Sequence, residues 1–384
     1  MWQFNQILRR LFASDQSSSV LLLLFTILAL VIANSGYAGQ YHAFWHIHWL
    51  DLSLEEWVND GLMAIFFLLI GLELKRELYV GELSNLNDAL LPTVAAIGGM
   101  LTPALIFWSF NHGTAYQSGI GIPMATDIAF AIGVLSVLGS RVPVALKVFL
   151  VAFAVIDDLG AAIVIAVFYT SSISLVYLVA ALAVIACLLL LNRWQVRYMV
   201  PYILGGVMVW WLTLQSGVHP TVAGVALAFT IPFSREDQNS LSHKLEHTLY
   251  LPVAFLILPI FAFANTGLAI DTRSFQDMFS HSNSIGIIAG LLVGKPVGIT
   301  LAAWLAVKAG ICKLPASLSW GHVIGAGILG GIGFTMSIFI TNLAYAGQDD
   351  IIHLSKMAIL AGSLLSGIVG WCWLKAMLPA KLTT

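Results

Sequence analysis

Residues 149–166, FLVAFAVIDDLGAAIVIA, form one apolar run that is interrupted only by two adjacent aspartates, Asp157 and Asp158. A helix of this length can cross the roughly 30 Å hydrocarbon core of a lipid bilayer. Acidic side chains at the centre of a bilayer are costly, and they mark functional sites by default. The stretch therefore predicts a transmembrane helix that carries two carboxylates near its middle.

The composition of the whole chain is that of a membrane protein. Of its 384 residues, 59% are hydrophobic and 9% are charged, and the mean hydropathy is +0.91. Soluble proteins carry roughly a quarter charged residues. The net charge of -2 gives no basic surface for nucleic acid. We interpret Cys187, Cys312 and Cys372 as small apolar residues, because their spacing fits neither a disulfide nor a metal framework.

Further apolar segments predict a protein with about twelve transmembrane helices. At roughly 20 residues per span, the candidate spans lie near 17–34, 56–80, 88–109, 118–138, 143–170, 175–191, 197–215, 217–232, 247–269, 284–308, 321–345 and 353–377. Runs such as ITLAAWLAV (299–307) show no alternation of apolar and polar residues, which excludes a membrane β-barrel. No long polar stretch remains, so residues 1–384 are predicted to form a single all-α polytopic domain.

The basic residues predict the orientation of these spans. With the N-terminus inside, 14 of the 17 lysines and arginines fall on the inner side, and only Arg273 and Lys356 fall outside. Cytoplasmic loops collect such residues, so both termini are predicted to be cytoplasmic. Residues 20–33, behind two arginines, also fit a cleaved signal peptide; its removal would not change the orientation of the remaining spans.

Four ionisable residues lie near the middle of predicted spans: Asp127, Asp157, Asp158 and Lys295. Adjacent residues on a helix point about 100° apart. We therefore expect one of the paired aspartates to face a water-filled cavity and the other to face a partner helix, with Lys295 as the available cation. Carboxylates that share a low-dielectric site raise each other's affinity for protons, and a small hard cation also prefers oxygen ligands. One site that binds either protons or a cation implies exchange.

Glycine and proline interrupt two of the predicted spans. Span four contains GIGIPMATDIAFAIG (119–133), in which the interruption coincides with Asp127, and span eleven contains GAGILGGIGFTMSIFI (325–340). Unwound backbone at membrane depth is tolerated only where protein or water surrounds it. For span eleven, close packing through small residues is an alternative. The half-helix ends would carry partial charges, which Asp127 and Lys295 could balance.

Seven long motifs resemble the NhaA family of bacterial sodium/proton antiporters, and together they cover nearly the whole chain. They are WVNDGLMAIFFLLIGLELKREL (57–78), PMATDIAFAIGVLSVLG (123–139), FLVAFAVIDDLGAAIVIA (149–166), SGVHPTVAGV (216–225), LPIFAFANTG (258–267), GLLVGKPVGI (290–299) and GGIGFTMSIFI (330–340).

The resemblance implies an inverted-topology repeat in which discontinuous spans 4 and 11 cross at the midplane. Inverted repeats of this kind are known partly from members of this family. The expected repeat therefore gives no support for the resemblance beyond the motifs themselves. The resemblance further implies a core bundle (86–170 and 284–377), scaffold helices (17–80 and 175–270), and a periplasmic hairpin (37–53) at a homodimer contact. The expected location is the bacterial inner membrane.

The resemblance also implies the roles of individual residues. Asp158 would be the principal carrier of the cation and the proton, with Asp157 as its partner, either coordinating the ion or releasing a proton as it breaks from Lys295. Thr126 and Asp127 match the unwound segment that helps to bind the ion. Members of the family have a charged cluster at the cytoplasmic mouth that is associated with pH activation. The residues of this chain that match it are Glu73, Lys75, Glu77, Glu246 and His247.

Two further residues match family positions outside this cluster. Asp60 matches a carboxylate near the outer end of span two, and His219 matches a histidine that influences the pH response. The chain departs from some members in having Tyr250 where they have a second histidine, and Pro220 follows His219. These departures bear on the pH at which the protein becomes active.

The expected function is electrogenic, pH-regulated export of Na⁺ or Li⁺ in exchange for H⁺, with no cofactor. An intramembrane aspartyl enzyme also needs paired carboxylates, but adjacent aspartates diverge on a helix, although Asp127 and Asp158 could meet. Another cation-coupled secondary transporter is the remaining alternative in the transport class. A channel fits less well, because it needs a continuous pore and weak binding sites.

Overall fold

The computed structural model describes residues 15–170, 173–235, 237, 240–270 and 272–378, and their regular structure is almost entirely helical. The two strands are β1 (His48–Trp49) and β2 (Leu52–Ser53). The helices are α1 (Asp15–Ala33), α2 (Ala38–Trp45), α3 (Leu54–Tyr79), α4 (Leu86–Asn111), α5 (Ile128–Val137), α6 (Val144–Phe168), α7 (Leu175–Arg193), α8 (Met199–Ser216), α9 (Thr221–Thr230), α10 (Leu241–Asn265), α11 (Thr272–Ser280), α12 (Ser282–Lys308), α13 (Trp320–Gly330), α14 (Phe334–Ala344) and α15 (Asp349–Met377).

Most of these helices have the length and composition of membrane spans. Among the described residues, ten segments qualify as candidate spans. One of them, Gln117–Val137, consists of a 3₁₀ segment (Gln117–Met124) followed by α5. Helices α13 and α14 together form an eleventh candidate, which bends by 45° at its break. The chain is therefore an all-α polytopic membrane protein.

The region predicted as span eight differs from the expectation of a full span over 217–232. Helix α9 has only 10 residues, which corresponds to a length of roughly 15 Å, about half of the hydrocarbon thickness. Gly217, with φ of +81°, ends α8, and Pro220 directly precedes α9. Because a left-handed glycine and a proline flank the start of this helix, the apolar pattern extends further than the helix itself.

The segment predicted as a hairpin over 37–53 contains two kinds of structure. Residues 38–45 form α2, and only β1 and β2 pair as antiparallel strands, with His48 opposite Ser53. Leu50 and Asp51, between the strands, have φ of 51° and 65°. Positive φ at both central residues is typical of the tight turn whose twist matches a two-residue hairpin. The paired strands are therefore much shorter than the predicted hairpin.

Close contact of α4 with α12 positions the centre of α12. A Cβ atom on Gly298 would lie 2.2 Å from the carbonyl oxygen of Gly98, and one on Gly98 would lie 2.3 Å from the carbonyl oxygen of Gly298. The two backbones therefore touch where both residues lack a side chain. Because Lys295 precedes Gly298 by less than one helical turn, this contact also fixes the depth of the buried lysine.

The N-terminal helix α1 is packed into the same bundle. The Ser19 hydroxyl donates to the Ala129 carbonyl oxygen at 2.7 Å, and the Asn34 side chain donates to the Leu268 carbonyl oxygen at 2.8 Å. These bonds connect α1 with α5 at one end and with the segment after α10 at the other. Helix α1 is thus an integral part of the fold.

We predict that Gly298→Ala destabilises the protein by about 1–3 kcal/mol, because the added methyl group overlaps the backbone of α4. The thermal unfolding midpoint of purified protein in detergent measures the effect. Gly39→Ala in α2 is the matched control, since a Cβ atom there meets no atom within 4 Å. Equal midpoints for the two variants would contradict the proposed contact.

Candidate functional site

The two helix interruptions lie against each other and share hydrogen bonds. The Asp127 N–H donates to the Ile332 carbonyl oxygen at 2.6 Å, and the Thr126 hydroxyl donates to the Gly330 carbonyl oxygen at 2.8 Å. Pro123, which has no N–H, lies at the end of the 3₁₀ segment that precedes the first interruption. Backbone groups that leave the helical pattern must bond elsewhere within a membrane. Each interruption therefore supplies partners for the other.

The Asp127 carboxylate lies between the N-termini of two half-helices. Its Oδ1 accepts from the Phe130 N–H at 3.0 Å, which caps α5. Its Oδ2 accepts from the Thr335 N–H at 3.2 Å and from the Thr335 hydroxyl at 2.5 Å, at the start of α14. Helix N-termini carry a partial positive charge. The Asp127 carboxylate thus accepts hydrogen bonds from the first turns of both half-helices.

Lys295 forms a buried ion pair with Asp157. The distance from Lys295 Nζ to Asp157 Oδ2 is 2.7 Å, and Nζ also donates to the Thr126 hydroxyl at 3.0 Å. The side chains of Lys295 and Asp157 are 0% and 1% exposed. Because Thr126 in turn donates to the Gly330 carbonyl, Lys295 reaches the C-terminal end of α13 through this hydroxyl. The ammonium group therefore compensates a carboxylate directly and a helix C-terminus indirectly.

A wider, π-helical turn of α12, Gly290–Gly294, lies directly before Lys295. Pro296 has no N–H to donate to the preceding turn, so the regular helical pattern cannot continue through it. Such π turns are frequent at functional sites.

Asp158 lies beside this ion pair but is not part of it. It is 1% exposed, and it interacts electrostatically with Asp157, Asp127 and Lys295. In the part of the chain that the structure describes, Asp158 Oδ1 and Asp157 Oδ1 are both buried without a hydrogen-bond partner. Buried polar atoms in native proteins nearly always have a partner. These two carboxylate oxygens are therefore free to bind a proton or a small cation.

The donor set is one of hard oxygen atoms. Carboxylate, hydroxyl and carbonyl oxygens suit small hard cations, whereas soft metals prefer thiolates and imidazoles. Among the described residues, no group of three or more His, Cys, Asp or Glu side chains has the geometry of a metal centre. The oxygen donors are of the kind that a small hard cation prefers, and protons compete for the same oxygens.

Three of the residues predicted at the cytoplasmic mouth, Glu73, Glu77 and Glu246, lie close together near the C-terminal end of α3. Asp60 lies near the opposite end of this helix. Arg76 joins them, with Nε 2.8 Å from Glu246 Oε1 and Nη2 3.0 Å from Glu77 Oε1. Glu73 lies within electrostatic range of Glu246, Arg76 and Glu77. His247 is exposed on the neighbouring helix α10. This cluster connects α3 with the start of α10.

Lys75 points away from the acidic residues of this cluster. Its ammonium group donates to the carbonyl oxygens of Ala228, Phe229 and Ile231, at the C-terminal end of α9. The free carbonyls of a helix C-terminus attract cations. Lys75 therefore caps the short helix α9.

His219 lies far from the mouth cluster. Its Nε2 is 3.3 Å from Asp60 Oδ1, and its Nδ1 is 2.9 Å from the Thr221 hydroxyl. Asp60 and Glu77 are separated along α3 by about 25 Å. The two predicted outlying residues, Asp60 and His219, thus form a pair of their own.

Two residues of these sites were not predicted from the sequence. Thr335 bonds Asp127 across the two interruptions, and Arg76 holds Glu77 and Glu246. The sequence contained a signal for Arg76, which lies inside the charged motif ELKRE. The partner of Thr335 lies 208 positions away, and a lone threonine after a glycine run gives no comparable signal.

Comparisons with known proteins give the family of this chain. The model of the family described as Na⁺/H⁺ antiporter 1 matches residues 9–374. The chain belongs to this family, whose curated relatives are named NhaA. A relative from Dechloromonas aromatica is 60% identical over 94% of each chain, and one from Flavobacterium johnsoniae is 53% identical over 100% of each. A relative from Salmonella typhi is 49% identical over 97% of this chain and 99% of its own.

Membership in the Na⁺/H⁺ antiporter family confirms the resemblance inferred from the seven motifs. It also decides the class of the protein in favour of a transporter, because the family match spans almost the whole polytopic chain. Within this NhaA-family fold, the four mid-span charges and the two interruptions lie at one place.

We predict that Lys295→Ala destabilises the protein by about 3–5 kcal/mol, because it leaves the buried Asp157 carboxylate without its cation. Thermal unfolding in detergent measures this loss. The double variant Lys295→Met/Asp157→Asn removes both charges and should recover much of the stability. A midpoint of Lys295→Ala equal to that of the unmodified protein would show that the ion pair does not support the fold.

Proposed function

We propose that this Na⁺/H⁺ antiporter exports Na⁺ or Li⁺ and takes up H⁺ through one shared site, in which Asp158 is the principal carrier. The observation that carries the proposal is the pair of buried carboxylate oxygens, Asp157 Oδ1 and Asp158 Oδ1, which have no hydrogen-bond partner among the described residues. A proton or a hard cation can satisfy these atoms, but each excludes the other. Such competition is the minimal requirement for exchange at a single site.

The ion would bind from the cytoplasm at Asp158 and Asp157, and the hydroxyl of Thr126 would assist. Its arrival displaces protons to the same side. The core bundle then moves against the scaffold helices, the ion leaves on the outside, and protons rebind the carboxylates. Asp127 stays bonded to two half-helix ends during this cycle and stabilises the interruption instead of carrying the ion.

Lys295 is proposed to affect the number of protons that are exchanged for each Na⁺. When a cation binds Asp157, the Asp157–Lys295 pair must break or weaken, because the same carboxylate cannot serve two cations equally well. Two carboxyl protons, or one carboxyl proton and one from Lys295, would then exchange for each Na⁺. Either count moves one net charge per cycle and makes the exchange electrogenic.

We also propose the finer topology of the family for this chain. Twelve spans with cytoplasmic termini in the bacterial inner membrane follow from the distribution of basic residues. The half-helix pairs, one formed by the 3₁₀ segment and α5 and the other by α13 and α14, would be the related elements of an inverted repeat. A homodimer would form at the segment that contains β1 and β2.

For pH regulation, we propose the cluster of Glu73, Arg76, Glu77 and Glu246 as the sensor. Three carboxylates share one guanidinium group there, so protonation of any of them changes the balance of charge between α3 and α10. His219 belongs to a separate pair with Asp60 and would influence pH response from the other end of α3.

The geometry of the site also disfavours the intramembrane aspartyl enzyme that the sequence left as an alternative. A dyad of this kind needs two carboxylates that meet at one water molecule. Asp157 is bonded to Lys295, and Asp127 is bonded to two helix ends. These contacts favour transport over hydrolysis.

We predict that Asp158→Asn abolishes exchange without preventing membrane insertion, because the amide can neither bind Na⁺ electrostatically nor release a proton. Dissipation of a pH gradient in inside-out vesicles after addition of Na⁺, Li⁺ or K⁺ measures this. The unmodified protein should respond to Na⁺ and Li⁺, but not to K⁺, and more strongly at alkaline pH. Asp88→Asn, at an exposed site, should behave as the unmodified protein. Normal exchange in Asp158→Asn would refute the assignment of the carrier.

We further predict that the exchange responds to membrane potential. In proteoliposomes without a pH gradient, a potential imposed with K⁺ and valinomycin should drive Na⁺ uphill in the direction set by its sign. The measurement is ²²Na⁺ accumulation with and without the ionophore. Accumulation that ignores the potential would establish an electroneutral exchange of one proton for one Na⁺.

A further inference from the structure

Three asparagine side chains form a continuous chain of hydrogen bonds between the core bundle and the scaffold helices. Asn342 of α14 donates to Asn265 Oδ1 at 2.6 Å, and Asn265 of α10 donates to Asn59 Oδ1 of α3 at 2.9 Å. Asn265 also donates to the Phe261 carbonyl oxygen at 3.1 Å, and it is 2% exposed. We refer to Asn342, Asn265 and Asn59 as the amide relay.

Both the amide nitrogen and the amide oxygen of Asn265, the central residue of the relay, form hydrogen bonds. Asn265 accepts one hydrogen bond and donates two, so replacement of Asn342 removes a specific partner from a buried acceptor. An unsatisfied buried polar group is more costly than the loss of an ordinary exposed hydrogen bond. The contact therefore favours the particular position of α14 in which Asn342 faces Asn265.

Three residues on one face of α14 contact other helices through hydrogen bonds or aromatic packing. Thr335 bonds Asp127, Phe339 packs against Phe67 and Phe261, and Asn342 begins the amide relay. The spacing i, i+4, i+7 places these residues on the same side of a helix. The amide relay therefore lies about 10 Å along α14 from the Asp127 contact, beyond the aromatic layer.

We infer that Asn342 and Asn265 are positioning residues, which hold the ion site closed toward the end of the bundle that carries β1 and β2. This inference rests on the proposed function, in which that end faces outward and the core bundle moves against the scaffold helices. Opening toward that end requires α14 to separate from α10, and this separation breaks the Asn342–Asn265 bond. The amide relay thus sets the population of the outward-open state.

The test is a comparison of apparent Na⁺ affinity at the two membrane faces. Asn342→Leu keeps a side chain of similar size but removes the donor. Loss of the bond raises a minor outward-open population, so the apparent KM for Na⁺ at the outer face should fall about fivefold. The KM at the inner face should change less than about twofold, because the inward-open state remains the major one. Right-side-out and inside-out vesicles give the two values.

Two further variants separate positioning from general destabilisation. Asn111→Leu removes part-buried bonds between α4 and Ser282 at the start of α12, which do not involve the scaffold helices. It should leave the ratio of the two KM values unchanged. Asn265→Leu removes the same bond and also those to Asn59 and to the Phe261 carbonyl oxygen. Because these two further bonds lie within the scaffold helices, Asn265→Leu should change the ratio of the KM values little beyond Asn342→Leu. Equal changes of KM at both faces, or the same asymmetry in Asn111→Leu, would overturn the inference.

Hydrogen–deuterium exchange of the α14 backbone amides provides a readout that does not require transport. Exchange should accelerate in Asn342→Leu at the residues around Phe339 and Asn342, but not in Asn111→Leu. If the unmodified protein exchanges no Na⁺ for protons, the proposed function fails, and the α14 exchange rates still decide the role of the amide relay. Unchanged rates in Asn342→Leu would overturn that role.

Discussion

Backbone that leaves the helical pattern at membrane depth must find hydrogen-bond partners inside the protein, because lipid offers none. The interruptions at 125–127 and 331–333 meet this requirement together. Asp127 bonds Ile332, and Thr126 bonds Gly330, so each interruption is stable because the other is present. The candidate ion site lies where these two distant parts of the chain coincide, and the surrounding helices are arranged around that point.

The same low-dielectric environment decides how charge is distributed. Asp127 is compensated by two helix N-termini, and Asp157 by Lys295. Among the described residues, Asp158 has neither kind of fixed partner, and in the proposed exchange a mobile cation or proton takes that place. If fixed groups compensated every carboxylate, the site would have no electrostatic reason to take up a cation. This difference explains how two adjacent aspartates, pointing about 100° apart, can have different parts in exchange.

Features that depend on local pattern were predictable from the sequence, whereas features that depend on distant contacts were not. Apolar runs indicated the polytopic fold, and the mid-span charges with glycine and proline breaks indicated the site. The apolar pattern alone did not show that α9 begins only at Thr221, because Gly217 and Pro220 delay the start of the helix within a continuing apolar run. Nor could it pair Asp60 with His219, or Asp127 with Thr335, since these contacts follow from packing between distant helices.

Helix α14 connects the candidate ion site with its own contacts to α3 and α10. A ligand shifts a conformational equilibrium only through different affinities for its states. Asp158 interacts electrostatically with Asp127, whose Oδ2 is bonded to the first turn of α14, so a cation bound at Asp158 in the proposed exchange would also act on Asp127. Phe339 and Asn342 belong to the same short helix, so a displacement that changes the Asp127 contact also changes theirs. If α14 takes two positions in the proposed cycle, this one helix would couple occupancy of the site to closure of one face, and no longer pathway would be required.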